Sequence, residues 1–315
     1  MMEHKMKRHL LRTLLASIIF ILLSFVVRTY PDGFINSFGD INLSHEDDKE
    51  YPLLKVHFID VGQGDAILIQ SEDSHMLIDA GERHNSDTLI SYLRENSVSK
   101  LEYVIATHPH SDHIGSLANV IDNFQIGKII MPDAISTTKT FENLLDTIAK
   151  NNLKITKPII GTEYILGSAS FVIIAPNGSN YKNLNDYSVG IKLKHNENSF
   201  VFTGDAEKLS ENEMLENGIN LKADVFKLAH HGSSTSNSDD FLDAVDPMIC
   251  VVSAKKDNSY GHPHVEIMQA MKDRNIILYR TDEQGTIILE SDGKTITANT
   301  RPYKISEKDT IRSKP

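Results

Sequence analysis

The longest uninterrupted apolar stretch lies near the N-terminus. Leu14-Leu-Ala-Ser-Ile-Ile-Phe-Ile-Leu-Leu-Ser-Phe-Val-Val27 carries no charge, follows Lys5, Lys7, Arg8 and Arg12, and is closed by Arg28. A positive flank ahead of an apolar run is the pattern of an export segment. Counted from Leu10 the run reaches eighteen residues, at the short edge of the roughly 17–25 needed to span a bilayer. The exit, Ser24-Phe-Val-Val-Arg-Thr-Tyr30, offers no small-x-small cleavage site. Residues 1–30 are therefore expected to be an uncleaved signal anchor, with a cleaved signal peptide as the alternative. The positive-inside rule places the remainder outside the cytoplasmic membrane, on a single-pass anchor or secreted. Residues 31–51 have no sustained apolar period and read as a linker.

From residue 52 the pattern changes to short apolar runs alternating with helical spacing. Runs at 54–59, 65–70 and 75–79 predict a strand meander, the first two joined by Asp60-Val-Gly-Gln-Gly-Asp65. Helical spacing over 88–96 precedes a buried strand at 103–107. A helix over 114–123, a strand at 128–131, a helix over 139–151 and strands near 155–175 continue the alternation. The second half repeats the layout: strands at 189–194 and 199–203, a helix over 208–216, and a strand at 224–229 ending in His230-His-Gly232. A strand at 248–252, a helix over 265–274 and strands at 276–279 and 286–290 follow. Two meanders, each followed by strand–helix units, predict an α/β fold of two sheets packed face to face with helices outside. Residues 52–300 form that domain, and 301–315 are expected to be a solvated, flexible tail.

Composition changes this picture little: 40% hydrophobic and 24% charged residues are ordinary for a globular chain. The formal charge of -11 argues against a general nucleic-acid-coating protein, which needs a basic stripe to neutralise phosphates. A nuclease is compatible with that charge if bound divalent cations supply positive charge locally. The one cysteine, Cys250, sits in an apolar run and reads as a small buried hydrophobe, so neither a disulfide framework nor a thiolate metal cluster can form within the chain.

The densest chemistry follows the strand at 103–107. Thr107-His-Pro-His-Ser-Asp-His113 puts His108, His110, Asp112 and His113 into six positions. Imidazole nitrogen and carboxylate oxygen are the ligand set for zinc, manganese or iron, and one tight turn carrying four such groups has little structural purpose otherwise. Val61-Gly-Gln-Gly64 joins two strands instead of opening a helix and lacks a following lysine, so it does not read as a phosphate cradle. Asp60, Gln63 and Asp65 are expected to shape the floor near the metals.

With Asp79 at the end of an earlier strand and Thr203-Gly-Asp205 later, the His-x-His-x-Asp-His motif resembles the metallo-β-lactamase superfamily. More narrowly, Phe58-Ile-Asp-Val-Gly-Gln-Gly-Asp-Ala66, Leu228-Ala-His-His-Gly-Ser-Ser234 and Tyr260-Gly-His-Pro-His264 resemble the soluble hydrolase domain of the ComEC competence family. The resemblance runs from residue 54 to about 290. It implies an αββα metallo-β-lactamase-like sandwich with metals along one edge. His108 and His110 would then be ligands of a first ion, Asp112 and His113 of a second, and Asp205 a bridge. His231 takes the place of the last histidine, with His230 as its substitute or companion. Asp79 would orient the cluster by accepting hydrogen bonds from metal-bound histidines.

The pattern departs from the superfamily between His113 and Asp205, where a further histidine is expected and Asn185-Asp-Tyr-Ser188 stands instead. The first site then has fewer protein ligands, or recruits Asn185 or a downstream histidine. One or two divalent ions are expected, zinc first and manganese as the alternative. His262 and His264 are candidates for protonating a leaving oxygen or holding a developing anion, with Asp112 steering the attacking water. These expectations favour a phosphodiesterase or nuclease acting on DNA or an envelope polymer. The alternatives are a choline-phosphodiester or small-ester hydrolase of the cell envelope, and a non-catalytic metal-binding module. One membrane segment at most cannot make a DNA channel.

Overall fold

The computed structural model describes residues 52–311. The expected anchor and linker, residues 1–51, lie outside the described residues. Among the described residues no helix is long and apolar enough to cross a membrane.

Two mixed sheets face each other. The first runs β15-β14-β1-β2-β3-β4-β5-β6 across, with β1 Leu54–Phe58, β2 Ile67–Ser71, β3 Ser74–Ile78, β4 Lys100–Ile105, β5 Gln125–Ile130, β6 Ile155–Thr156, β14 Ile287–Ser291 and β15 Ile296–Ala298. The second runs β13-β12-β11-β10-β9-β8-β7, with β7 Glu163–Leu166, β8 Ala169–Ala175, β9 Gly190–His195, β10 Asn198–Phe202, β11 Val225–Lys227, β12 Ile249–Val252 and β13 Ile277–Arg280. Each sheet has an antiparallel meander on one side and parallel strands on the other: β3, β4, β5 and β6 in the first, and β10 to β13 in the second.

The alternation along the strands accounts for the layers. Leu54, Val56, Phe58, Ile67 and Ile69 meet Phe171, Ile173, Phe200 and Phe202 in the core between the sheets. Their neighbours face outward: Leu68 and Leu77 pack under the helices α1 Ser86–Glu95, α3 Leu117–Asn123 and α4 Lys139–Lys150, while Val201, Phe226 and Cys250 pack under α5 Lys208–Glu216, α6 Asp239–Val245 and α7 Val265–Asp273. A strand whose alternate side chains are buried on both faces has to be covered twice, which produces the four-layer order helix, sheet, sheet, helix.

Two expectations differ from the structure. The single helix over 114–123 is instead a short turn of helix, α2 Ser111–Ile114, followed by α3. The break falls at Gly115-Ser116, where the chain passes against residues 81–83: Ser116 N donates to Gly81 O and its hydroxyl to Glu82 O, and a Cβ on Gly115 would lie 2.5 Å from Arg83 N. The stretch from 301 to 311 is largely exposed but tied to the domain through a few side chains. Tyr303 N donates to Leu278 O, the Tyr303 hydroxyl and Arg280 both reach Asp309, and Ser306 with Asp309 forms a capping box on the last helical turn.

Candidate metal centre

Every side chain that converges on the centre comes from the C-terminal end of a parallel strand, where open α/β sheets leave a crevice. Asp79 follows β3, the histidine cluster follows β4, Asp205 follows β10, and His230 and His231 follow β11. Backbone geometry aims several of them. Asp79, His230 and His231 all hold positive φ, at 57°, 50° and 56°. Such left-handed residues cost of order 1–3 kcal/mol each and persist only where the surroundings hold them. Here they are fixed: His230 N donates to Gly204 O, and Ser233 N returns to His230 O. Gly64, at φ 113°, lets the Val61-Gly-Gln-Gly turn lie directly on the Asp112 backbone, where any Cβ would come within 1.9 Å of Asp112 O.

The hydrogen bonds settle which nitrogen each histidine presents. The Thr107 hydroxyl donates to Asp79 Oδ2 at 2.6 Å, so it accepts from His108 Nδ1 at 3.0 Å. His113 Nδ1 donates to the same Asp79 oxygen at 2.7 Å. His231 Nδ1 donates to Ser253 O at 3.0 Å. With the Nδ1 positions committed, Nε2 is the nitrogen that His108, His113 and His231 can present to a metal, the arrangement that ligation requires. Asp79 thus orients two of the histidines from behind.

Asp205 is the hub. Its Oδ2 lies 3.2 Å from His113 Nε2, 3.5 Å from His231 Nε2, and 3.8 Å from each of His108 Nε2 and His230 Nε2. Asp112 Oδ2 lies 3.3 Å from His231 Nε2 and 3.8 Å from His113 Nε2. One ligand atom each from Asp112, His113, Asp205 and His231 fall within 4.8 Å of one another. Beside them, His110 Nδ1 faces His108 Nε2 at 2.9 Å. The buried atoms His113 Nε2, His231 Nε2 and Asp205 Oδ1 have no hydrogen-bond partner. Buried polar atoms without partners are costly, and three of them at one point fit a divalent cation that all three would face.

The electrostatics agree. Burial pushes His113 and His231 down, but Asp205 and the neighbouring carboxylates outweigh it and hold both well above the ordinary histidine range. Burial likewise opposes charge on Asp205 and Asp112, yet the facing histidines hold both carboxyls well below their usual range. Burial and the neighbouring His113 keep His108 neutral. The carboxylates are thus ready to take a cation, and the protons on His113 and His231 are what such an ion would displace.

The remaining expected residues divide. His262 faces the cleft, with its ring centre 5.4 Å from that of His230 and 6.1 Å from that of His231. Burial and the neighbouring imidazoles hold it down at about 3. His264, proposed from sequence beside it, does not line the cleft. Its Nδ1 accepts from Ser234 N and its Nε2 lies 3.2 Å from Tyr260 O, so both ring nitrogens are spent holding the turn ahead of α7. Asp60 is also away from the centre: it is exposed, and its Oδ1 accepts from Gly62 N in a local turn. Asn185 is buried in the 3-10 turn Leu184–Tyr187, donates to Glu207 Oε1 at 3.0 Å, and keeps Oδ1 without a hydrogen-bond partner.

Sequence reasoning missed Lys227. This fully buried lysine pairs with Asp65 Oδ2, whose other oxygen lies 3.5 Å from His231 Nδ1. A signal was available: a lysine inside Val225-Phe-Lys-Leu-Ala229 must find an anion if its strand is buried on both faces.

The centre floors an open cleft of about 630 Å³, whose walls include Gln63, Ser111, Ser136, Thr138, Tyr260 and His262. None of the described residues lining it is a lysine or arginine.

The chain is similar to several known proteins. ComE operon protein 3 of Bacillus subtilis is 28% identical over 259 residues, covering 75% of this chain and 33% of that protein. Competence protein ComA of Neisseria gonorrhoeae is 28% identical over 232 residues, covering 72% of this chain and 31% of that protein. The chain thus spans about a third of the curated relatives' length. Among solved structures, the metallo-β-lactamase fold protein YhfI from Bacillus subtilis superposes with a TM-score of 0.53 at 13% identity, covering 76% of this chain and 100% of YhfI, which shows a common fold. The family model of the metallo-β-lactamase superfamily matches residues 59–252, from the end of β1 to the end of β12. The chain, a relative of the competence proteins, belongs to the metallo-β-lactamase superfamily.

Proposed function

We propose that this hydrolase is a divalent-metal phosphodiesterase, acting as a nuclease outside the cytoplasmic membrane and tethered through residues 1–30. The observation that carries the reading is the convergence of Asp112, His113, Asp205 and His231 from both sheets at the floor of an open cleft, with unpartnered Nε2 atoms facing Asp205. His108 and His110, sharing Asp205, would hold a second ion, with zinc preferred and manganese as the alternative. Divalent ions held there would lower the pKa of water to about 7 and neutralise charge on the phosphoryl oxygens.

The chain's own groups do the rest. Asp112, whose side chain is 25% exposed, reaches the cleft and accepts a hydrogen bond from the attacking water. Held far below the usual carboxylate range, it orients that water without keeping its proton. The water oxygen forms the new bond to phosphorus as the bond to the leaving oxygen breaks, and the proton that the water gives up passes to solvent, which in turn protonates the leaving oxygen. His262 is uncharged at neutral pH, so it serves as a hydrogen-bond donor to the developing anion and not as a proton donor.

The absence of lysine and arginine from the described cleft lining favours a second reading, an envelope choline-phosphodiester or small-ester hydrolase. The test is to strip the detergent-solubilised full chain of metal and restore zinc or manganese. Turnover is then followed on bis-p-nitrophenyl phosphate, single-stranded DNA and p-nitrophenylphosphorylcholine, with His110→Ala and Asp205→Asn as controls. Metal-dependent diester cleavage lost in both variants supports the proposal; preference for the choline substrate moves it to the second reading, and inactivity on all three overturns it.

A further inference from the structure

Beyond the metals the cleft is bounded by Tyr260, which is 65% exposed although it is a large aromatic residue. Its ring stacks on that of His262, with centroids 5.6 Å apart and planes at 20°. The inner face is thus taken by a residue of the cleft, and the outer side is open. The loop carrying it is held in place by its own polar atoms. Asn258 Oδ1 accepts from Tyr260 N and His262 N, its Nδ2 donates to Lys255 O and His262 O, and His264 Nε2 reaches Tyr260 O. At Gly232, φ 81°, the His-His-Gly turn lies so close to Pro263 that a Cβ would meet it at 2.6 Å, locking this loop to the strand that supplies His231.

Tyr260 and Gln63 line both the metal cleft and a second cavity of about 550 Å³, whose charged lining residues are Lys255, Glu82 and Asp257, with His84 paired to Glu82. Gln63 Oε1 accepts from Lys255 N at 3.4 Å, which ties the two walls together. A substrate leaving the candidate ligands on this side therefore passes a flat, pre-positioned aromatic face and then Lys255, in a wall that also carries Glu82 and Asp257.

From this we infer that Tyr260 is the stacking platform of a binding subsite for a single-stranded polynucleotide, taking the base of the nucleotide beside the cleaved phosphodiester, with Lys255 meeting the next phosphate. The inference rests on the phosphodiesterase reading above and adds the residue that selects a ring-bearing chain. A polyol phosphate polymer carries the same charges but has no flat face to lay on Tyr260. Aromatic stacking tolerates every base and holds a strand where cations are scarce. With Lys255 as one phosphate contact, the salt dependence of binding is shallow, with a log–log slope of about -0.7.

The experiment uses the full chain loaded with zinc and a short single-stranded oligodeoxynucleotide, alongside copies in which one abasic residue is moved along the strand. In the wild type, one abasic position next to the cleaved bond raises KM by about fivefold or more. In Tyr260→Ala the intact oligonucleotide shows the same rise and that abasic position costs nothing further; Tyr260→Phe behaves as wild type. Equal sensitivity to the abasic residue in wild type and Tyr260→Ala, or none in either, overturns the subsite. Methyl p-nitrophenyl phosphate separates the two claims. If it is hydrolysed while the oligonucleotides are not, the subsite falls and the phosphodiesterase stands; if neither is hydrolysed, both fall.

Discussion

Lys227 Nζ lies 2.5 Å from Asp65 Oδ2 with both side chains buried, and this ion pair joins the two sheets beneath the metal centre. Asp65 precedes β2 of one sheet and Lys227 ends β11 of the other, while Asp65 also lies 3.5 Å from His231 Nδ1 and 4.0 Å from His113 Nδ1. Removing one partner leaves an uncompensated buried charge, which costs about 3–5 kcal/mol, whereas removing both can be nearly neutral. Lys227→Met is therefore expected to lose that much stability in urea unfolding of the metal-free chain, and the double variant Asp65→Asn/Lys227→Met to recover most of it. Equal losses in the single and double variants would mean that the pair matters for packing alone.

The same pair sets an acid limit. Burial opposes charge on Asp65, but Lys227 and His231 together hold it down from 3.8 to about 2. A depressed carboxyl contributes stability that is present above its unfolded value and is lost as pH falls through the folded one. Wild-type stability should therefore decline between about pH 4 and pH 2 more steeply than that of the double variant. Unfolding midpoints measured across this window give the comparison.

Asp79 accepts from Thr107 and His113 and, through Thr107, fixes His108. Outer partners of metal-bound histidines are typically worth about 10–100-fold in metal affinity. Asp79→Ala is expected to weaken metal binding by that factor in chelator competition. An unchanged affinity would show that packing alone orients the rings.

Metal loading should also be unequal. Four groups converge on the position of Asp112, His113, Asp205 and His231, whereas the His108 and His110 pair has Asp205 as its one nearby carboxylate within 4 Å among the described residues. Elemental analysis after dialysis should find about one ion in His110→Ala and less than one in His231→Ala. Asn185→His, which restores the histidine that the superfamily pattern leads one to expect, tests whether the weaker position can be completed. A rise toward two ions is the expected result.

Because His113 and His231 hold protons above the ordinary histidine range in the metal-free chain, an ion must displace them to bind. Metal affinity should rise with pH from 6 to 8, with protons released in proportion. Calorimetry in buffers of different ionisation enthalpy measures that release, and a pH-independent affinity would contradict it.

Much of the fold was legible because its signals are local. Short apolar runs mark β1, β2, β8 and β10 directly, because these strands are largely buried on both faces, and the helix over residues 208–216 begins and ends as the spacing predicts. The interruption at Gly115-Ser116 was not legible, because it arises from contact with residues 81–83, 34 positions away for the Ser116–Glu82 hydrogen bond. The attachment of the 301–311 stretch was hidden for the same reason: its polar residues look untethered until Arg280 and Leu278 are beside them.

At the site, the sequence by itself determined the ligand types. Three imidazoles and a carboxylate within six residues can serve little but a metal, whatever the fold around them. Family resemblance in the sequence pointed to Asp205 and His231, but it is tertiary structure that brings them, with Asp65, beside the cluster. Asp205 and His231 reach the His108 cluster because two sheets from distant halves of the chain bring their parallel strand ends to one edge, and Asp65 joins them from the turn ahead of β2. The same packing separates residues that the sequence treats as equals: His262 turns into the cleft, while His264, two positions on, spends both nitrogens on its own turn. Residue chemistry is carried by composition, but proximity, burial and the choice of tautomer come from long-range packing, and those conditions make a histidine a ligand or a strut.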